Sequence, residues 1–403
     1  MRSLIILKGL VKDEKLNWVK NEKLENYFID IDLIRKVYAI PELLYPGREI
    51  LNKSFSDLVY RRFIEIICTK MSKGGLIVVD TENEANNFLE TIALIFGYTI
   101  FYVVQDIPKD YTTEGKKYTR SYYQTKRKPE LEHDILNYTN FPIREDTIIK
   151  SYNDVLEYWK KKRKFYTPNA DSKILHVSDL HSNFKLFKKL PKFSSYDLVI
   201  FYGDYIDGPE KDGSRKITDH IIKDKKEKFI WLEGNHELRL RKYLGYLMLK
   251  DGNTKKELKE YLLRTLPEDF LNITAKEYND LDNNQARVYL EKLNKKLNMS
   301  ISLTLNKNKF ICTHAGIKYI DQIDPRYIGS LVYGSRDMNR FDKEFTEVNK
   351  NNNIWSVHAH CQYPDSWEVF RFSKVVNLDP PTENEIVYAE QDKKGWKVCV
   401  IEK

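Results

Sequence analysis

The sequence has few cysteines and no long apolar run. Its four cysteines, Cys68, Cys312, Cys361 and Cys399, are far apart and form no CxxC pair. This spacing argues against a disulfide framework and indicates free thiols in a reducing compartment. No apolar stretch approaches the ~18 residues of a membrane-spanning helix, and the amino-terminal apolar stretch is too short for a secretion signal. We therefore expect a cytoplasmic protein without a membrane partner.

The composition is that of a globular protein with a modest positive charge. The 403 residues are 41% hydrophobic and 13% aromatic, enough for about two domains with buried cores. Lys and Arg number 67 against 59 Asp and Glu, which gives a formal net charge of +8. The excess fits a polyanionic substrate such as nucleic acid, but Lys-, Asn- and Tyr-rich composition also follows from an AT-rich genome. Charge alone does not choose between these explanations.

The first half alternates apolar runs with helical stretches. The runs are SLIILKGL, YFIDIDLIRKVY, GGLIVVDTEN and YTIFYVVQD. Strands that alternate with helices predict a parallel sheet with crossover connections. The basic run KKKRK at 160–164 and the turn-rich TPNADS at 167–172 then indicate a linker. We predict an α/β protein with two domains, at 1–165 and 172–403.

The second half contains a series of apolar runs that each end in polar residues. They are KILHVSDLHSN, YDLVIFYGDYIDG, EKFIWLEGNHE, NKFICTHAGI and NNIWSVHAHCQ. Each run predicts a strand whose end carries side chains able to bind a metal ion. The Leu-punctuated region from Leu238 to Asn298 predicts a helical insertion, and the alternating tail from Val375 predicts closing antiparallel strands.

The polar residues at these strand ends have the chemistry of a metal centre. Carboxylates, imidazoles and one carboxamide suit divalent Mn, Zn, Fe or Ni, and a carboxylate can bridge two ions about 3.5–4 Å apart. A single histidine after a strand is more often structural, whereas five successive strand ends of this kind predict a shared site. The candidate residues are Asp179, His181, Asp204, Asp207, Asn235, His236, His314, His358 and His360.

The motifs SDLH, GDYID, GNHE, THAG and HAHC resemble, in the same order, those of the calcineurin-like metallophosphoesterases. The resemblance covers nearly all of the second half and implies an αββα sandwich with two divalent ions at the strand ends, Mn being favoured and Ni, Fe or Zn also fitting. It implies that Asp179 and His181 hold the first ion and that Asp207 bridges. The second ion would be held by Asn235, His314 and His360, and His358 would add to the first site.

The same resemblance assigns the chemistry of hydrolysis. Water or hydroxide between the ions would attack the phosphate, and His236 would protonate the leaving oxygen, since an imidazole pKa of about 6.5 suits proton exchange near neutrality. Asp204 would orient His236. The site would thus hydrolyse a phosphate ester.

Phosphate-binding arginines are less clear in the sequence. Protein-phosphatase-like members of the family read GDxxDRG, whereas this chain reads GDYIDGPE, with Gly208 in place of the arginine. Three nearby residues could compensate, namely Arg215, Arg239 and Arg241. Arg336, in LVYGSRD, resembles the second phosphate-binding arginine of that branch and is taken as a catalytic-site residue.

The start of the chain resembles the polynucleotide kinase domain of bacterial and phage end-healing enzymes. GLVKDEKLN stands where that family has a glycine-rich phosphate loop: Gly9 and Lys15 are kept, but Lys12 and Glu14 replace glycines and Leu16 replaces a hydroxyl residue. Such a loop cannot wrap phosphates or bind Mg²⁺ as the intact motif does. We therefore expect the first domain to have the parallel sheet of a P-loop kinase. We also expect it to be a pseudokinase, which has lost ATP-dependent phosphate transfer.

Other segments of the first half carry the same resemblance. FIDIDLIRKVY resembles the acceptor-side stretch through Asp32 and Arg35, GGLIVVDTENEAN resembles a strand with its following turn, and KYTRSYYQTKRKPELEHDIL resembles the lid. Basic side chains here could contact a phosphate backbone or remain solvated surface charges. They are Arg35, Arg120, Lys126 and Arg127.

The order of the two domains resembles that of bacterial polynucleotide kinase-phosphatases, and so implies RNA repair or DNA end processing. The AT-rich-looking composition and the altered kinase loop suit a phage or low-GC bacterium. The expected activity is removal of 3′-phosphates or opening of 2′,3′-cyclic phosphates, with nucleic-acid ends as the partner. One alternative is a Ser/Thr protein phosphatase or dinucleoside-polyphosphate hydrolase of the same family. Another is a binding protein in which both domains are inactive. The sequence does not choose between RNA and DNA.

Overall fold

The chain is described by a computed structural model. It covers residues 2–8, 12–31, 33–34, 53–80, 86–105, 111–113, 116–118, 120–137, 147–162, 164–208, 210–250, 256–317, 324–327, 332, 337–360, 368–382 and 384–402. The chain divides into two compact units, Met1–Lys161 and Lys162–Lys403. The division falls within the basic run at 160–164.

The first unit is built on a four-stranded parallel sheet. Strand β1 (Ser3–Lys8) lies between β3 (Leu76–Asp80) and β4 (Thr99–Val104), and β2 (Phe28–Asp30) pairs with the far side of β3. Every residue of β1 is buried, as expected for a strand covered on both faces. The predicted parallel sheet with helices is confirmed.

Helices connect and cover these strands. The α-helices are Lys12–Asn21, Lys53–Ser72, Asn86–Phe96, Arg120–Tyr122, Lys128–Asn137 and Tyr152–Lys162, with a π-helical turn at Tyr123–Arg127. A separate antiparallel pair is formed by β5 (Tyr111–Thr113) and β6 (Lys116–Tyr118). Apolar side chains of the first and last helices, Trp18 and Val155, pack with Ile5 and Val78 of the sheet.

The second unit contains two sheets. The six-stranded sheet has the order β11-β10-β9-β8-β16-β17, and the five-stranded sheet has the order β15-β14-β13-β12-β7. The strands are β7 (Phe165–Tyr166), β8 (Ile174–Val177), β9 (Leu198–Phe201), β10 (Phe229–Leu232), β11 (Leu297–Asn298), β12 (Ser300–Leu305), β13 (Asn308–Thr313), β14 (Ile354–His358), β15 (Val375–Asn377), β16 (Glu385–Asp392) and β17 (Gly395–Glu402). The end of the tail, β16 and β17, pairs antiparallel as predicted, with Glu385 opposite Glu402. Its start, β15, was expected to be antiparallel as well but pairs parallel with β14.

A shared core holds the two sheets together. Ile200 and Ile230 of the six-stranded sheet lie in one buried cluster with Ile301 and Val357 of the five-stranded sheet. Helices complete the unit: Phe184–Lys189, Gly213–Lys223, Glu237–Leu249, Lys256–Arg264, Glu268–Asn272, Asn283–Lys296 and Met338–Asn349. Four of them form the predicted helical insertion. The expected α/β sandwich is confirmed.

The parallel strands bring the predicted metal ligands to one edge of each sheet. Strands β8, β9 and β10 run parallel, and so do β13 and β14. Parallel strands end on the same side of a sheet. The loops after them therefore meet where the two sheets come together, and these loops carry the polar residues that follow each apolar run.

Two expectations concern the chain as a whole. Cys68 and Cys312 are buried free thiols and Cys399 is a partly exposed one, while Cys361 lies outside the described residues. Among the helices that the structure describes, none has the length and apolar character needed to cross a membrane.

Candidate metal centre

The loops of the centre are held unusually close to one another. Gly203 has φ +106°, and a Cβ there would lie 2.6 Å from the Gly234 nitrogen and 2.8 Å from His314 Nδ1. A Cβ on Gly234 would lie 2.2 Å from Asp204 Oδ1. The two glycines of the GD and GN motifs are needed because no side chain fits between these loops. His181 and Asp204 themselves have positive φ values, 38° and 47°, a strain typical of functional sites.

Two overlapping groups of ligand atoms form at the strand ends. The first contains His181, Asp204 and His236, and the second contains Asp204, His314 and His360; within each group the atoms lie within 4.8 Å of one another. Asp204 is common to both groups. The sequence assigned the bridging role to Asp207, whereas in the structure the shared carboxylate is that of Asp204.

The second group has a donor set that fits a cation. His314 Nδ1 lies 2.6 Å from the Tyr202 carbonyl oxygen, so Nδ1 carries the proton and Nε2 presents its lone pair. His314 Nε2 lies 3.0 Å from Asn235 Oδ1 and 3.5 Å from Asp204 Oδ1. Three electron-rich atoms thus converge in a largely buried place, an arrangement that a positive charge among them would stabilise. A divalent metal ion would supply that charge.

Asp179 adjoins the first group and is almost fully buried. Its Oδ2 lies 3.9 Å from His181 Nε2, and its Oδ1 lies 3.6 Å from His314 Nδ1. The predicted ligands Asp179, His181, Asn235, His314 and His360 are therefore gathered in one region. Their mixture of carboxylate, imidazole and carboxamide suits two divalent ions.

His236 lies between two carboxylates. Its Nε2 is 3.6 Å from Asp204 Oδ2, and its Nδ1 is 3.2 Å from Asp207 Oδ2. Burial alone would lower the pKa of His236, but the Asp204 and Asp207 charges raise it above the ordinary value. Burial likewise opposes ionisation of Asp207, yet hydrogen bonds from His236 and neighbouring groups hold its pKa below the ordinary value. Asp207 is therefore placed to fix the ring of His236.

His358 is not part of either group. Its Nε2 lies 3.1 Å from Asp342 Oδ2, and both side chains are completely buried. Asp342 belongs to the helix Met338–Asn349, so this nitrogen is engaged with that helix. The expected contribution of His358 to the first site does not follow from this geometry. Arg336, the expected phosphate-binding residue, lies outside the described residues.

Glu237 organises the centre without belonging to either ligand group. Its carboxylate is fully buried and accepts the backbone N–H groups of Asp204, Tyr205 and Gly234 at 3.1, 2.8 and 2.8 Å. In turn, Asp204 Oδ1 accepts the N–H of His236 at 3.0 Å. One carboxylate therefore fixes the backbone of two loops. It is the last letter of the GNHE motif, a position that the sequence analysis left without a role.

Asp379 is a second residue without a role in the sequence analysis. Burial, together with the nearby Asp204 charge, raises the pKa of Asp379 well above the ordinary range. Its backbone N–H donates to Asn377 Oδ1 at 3.1 Å, just after β15. The available signal was an aspartate after the short apolar run that became β15.

In the first unit, the structure covers only part of the segments with predicted nucleic-acid contacts. Arg120 and Lys126 are exposed, and Arg127 ends the π-helical turn. Gly9, Asp32 and Arg35 lie outside the described residues. Lys15 Nζ lies 2.7 Å from Asp80 Oδ1 at the carboxyl end of β3, and both side chains are largely buried.

Comparison with a family model agrees with this geometry. The family model described as calcineurin-like phosphoesterase matches residues 172–379. No curated protein matches the chain. A solved structure provisionally described as a diadenosine tetraphosphatase is 16% identical, with a TM-score of 0.35, over 60% of this chain and 98% of its own. A hypothetical protein from Pyrococcus horikoshii OT3 is 14% identical, with a TM-score of 0.34, over 57% of this chain and 87% of its own. At this level of similarity neither structure indicates a substrate.

Proposed function

The chain belongs to the calcineurin-like phosphoesterase family, whose members hydrolyse phosphoric esters, and we propose that it acts on phosphates at nucleic-acid ends. The observation that carries hydrolysis is the Asp204 carboxylate shared by two groups of metal-ligand atoms. The substrate class is supported by the net charge of +8 and by the α/β unit that precedes the phosphoesterase unit. The proposed reactions are removal of a 3′-phosphate and opening of a 2′,3′-cyclic phosphate.

We assign the metal ligands by their placement. Asp204 would bridge, Asp179 and His181 would hold one ion, and Asn235, His314 and His360 the other. When bound, two divalent ions in such a set stabilise charge on the phosphate and lower the pKa of water. Mn²⁺ is the ion we propose, because this mixture of hard and borderline ligands suits it.

The side chains around the ligands supply the proton chemistry. His236 has a raised pKa, and its Nε2 faces the shared carboxylate, so it is placed to donate a proton to the departing oxygen. Asp207 holds the opposite ring nitrogen and fixes the orientation. The roles of Asp204 and Asp207 are thus exchanged relative to those expected from the sequence.

For the first unit we propose a positioning role without ATP-dependent transfer. The Lys15 ammonium lies 2.7 Å from Asp80 Oδ1. The positive charge that matches the phosphate-loop lysine is therefore already paired with a carboxylate of the same unit. Glu14 and Asp13 add negative charge to the first turn of the same helix. Both features oppose binding of a triphosphate.

A substrate panel tests the proposed function. Purified protein with Mn²⁺ is offered a 3′-phosphate oligonucleotide, a 2′,3′-cyclic phosphate end and a phosphopeptide. We expect turnover of the nucleic-acid ends and little of the phosphopeptide. Turnover of the phosphopeptide alone would overturn the substrate class, and so favour a protein phosphatase. Transfer of labelled phosphate from ATP to a 5′-hydroxyl end would overturn the role proposed for the first unit.

A further inference from the structure

Two of the three arginines near the site in sequence are committed elsewhere. Arg241 forms a buried pair with Glu233 through two 3.1 Å hydrogen bonds. Arg215 bonds Asp219 at 3.1 Å and lies over the rings of Tyr278 and Tyr289. Both side chains stabilise the second unit through these contacts.

The third arginine, Arg239, reaches the catalytic groups. Its Nη1 lies 2.6 Å from Asp207 Oδ2 and 3.4 Å from His236 Nδ1. About one third of the side chain is exposed, at 33%. In the part of the chain that the structure describes, Nε and Nη2 make no hydrogen bond, so N–H donors of the rigid guanidinium fork remain for a ligand.

The loop after Asp207 explains why this arginine comes from another segment. A Cβ on Gly208 would lie 1.6 Å from the His181 carbonyl oxygen, so the loop has no room for a side chain there. The Gly208 N–H also donates to Ser182 Oγ at 3.0 Å, which holds the loop in this conformation. A positive charge at position 208 is therefore excluded, and Arg239 brings one to the same aspartate from the helix Glu237–Leu249.

We propose that Arg239 binds a terminal oxygen of the substrate phosphate and thereby favours phosphomonoesters over phosphodiesters. The proposal rests on the proposed function of the metal centre. A monoester phosphate has three terminal oxygens and carries two negative charges, whereas a diester has two terminal oxygens and one charge. With two oxygens directed to the metal ions, only the monoester offers a further charged oxygen to the guanidinium.

Kinetics with matched esters test the proposal. Arg239→Ala and Arg239→Lys are compared with wild type on p-nitrophenyl phosphate and bis(p-nitrophenyl) phosphate in Mn²⁺. For Arg239→Ala we expect kcat/KM to fall roughly 10- to 100-fold on the monoester and less than about 3-fold on the diester. Arg239→Lys should fall between, because lysine keeps the charge but loses the fork. Arg287→Ala is the control, since this exposed arginine bonds Glu291 on its own helix.

A binding measurement separates this proposal from the proposed function. Calorimetric titration of the Mn²⁺-treated protein with inorganic phosphate should show a dissociation constant roughly 10-fold higher for Arg239→Ala than for wild type and Arg287→Ala. Equal kinetic losses on both esters, or unchanged phosphate binding, would overturn the proposal and leave Arg239 only a structural partner of Asp207. If wild type hydrolyses neither these esters nor the nucleic-acid ends, the proposed function fails, and the titration still decides the role of Arg239.

On nucleic-acid ends the same substitution has a specific consequence. A 3′-phosphate is a monoester and a 2′,3′-cyclic phosphate is a diester. Arg239→Ala should therefore reduce removal of the 3′-phosphate more than opening of the cyclic phosphate. A larger loss on the cyclic substrate would contradict the proposed selectivity.

Discussion

Asp204 and Asp207 lie on one loop, yet their carboxylates face different partners. Both residues have positive φ, 47° and 61°, so the loop turns sharply between them. Asp204 turns toward both ligand groups, and Asp207 turns toward His236 and Arg239. Spacing in the sequence does not reveal this difference, because it depends on backbone conformations that non-glycine residues seldom adopt.

Substitutions at the two aspartates distinguish their roles. Asp204→Asn should lower bound Mn²⁺, measured by mass spectrometry after gel filtration, because it weakens the ligand common to both groups. Asp207→Asn should keep the metal and lower kcat roughly 10- to 100-fold, because His236 loses its orienting partner. Asp219→Asn is the control, because Asp219 accepts a hydrogen bond from Arg215. Equal metal loss in both variants would argue against the exchange of roles.

The contribution of His236 to kcat should depend on the leaving group of the substrate. His236→Asn should lower kcat roughly 100-fold or more for an alkyl phosphate, whose leaving oxygen needs a proton. The loss should be much smaller for p-nitrophenyl phosphate, because nitrophenolate departs without protonation. Both rates are measured at saturating substrate. A loss independent of the leaving group would instead indicate a role in metal binding, consistent with membership of the first ligand group.

At the scale of strands and helices, the apolar runs of the sequence predicted the strands but not the contacts between the loops of the site. The predicted strands before Asp179 and Asn235 exist because β-branched and aromatic residues fill a two-sided core. The sequence did not reveal that Glu237 accepts three N–H groups from two loops, or that Gly208 adjoins the His181 carbonyl. The bonds from Asp204 and Tyr205 to Glu237, and the approach of Gly208 to His181, join segments far apart in the chain, so no local pattern encodes them.

A buried histidine of β8 is hydrogen-bonded to β16 and to the residue that follows β9. His176 of β8 has Nδ1 2.9 Å from the Tyr202 hydroxyl, after β9, and Nε2 3.0 Å from Gln391 Oε1 of β16. Complete burial lowers the pKa of His176 to about 4. The folded chain therefore keeps this ring neutral where an ordinary histidine is charged.

This histidine makes stability depend on pH. Between about pH 6.5 and 4 the unfolded chain takes up a proton at His176 that the folded chain does not, so stability falls as pH falls. The loss due to His176 between pH 7.5 and 5.0 should be about 2 kcal/mol. Urea unfolding of wild type and His176→Gln at both pH values measures it. The variant should lose correspondingly less stability on acidification; an unchanged pH dependence would refute the assignment.

At the scale of the whole molecule, the proposed metal centre lies within one of two units. Mn²⁺ at about 100 times its dissociation constant should stabilise the unit that binds it by about 2.7 kcal/mol. Calorimetry of chelator-treated protein with and without Mn²⁺ should show the shift in the transition that His176→Gln also alters. A shift confined to a different transition would place the ions outside the second unit.

The proposed metal ligands come from both sheets of the second unit. Asp179, Asp204 and Asn235 follow strands of the six-stranded sheet, whereas His314 and His360 follow strands of the five-stranded sheet. A chain that has formed only one sheet holds only part of each ligand set. Refolding must close long loops before the two sheets pack, a slow class of event in protein folding. The time course of Mn²⁺ uptake by a refolding chain should therefore report when the two sheets pack together.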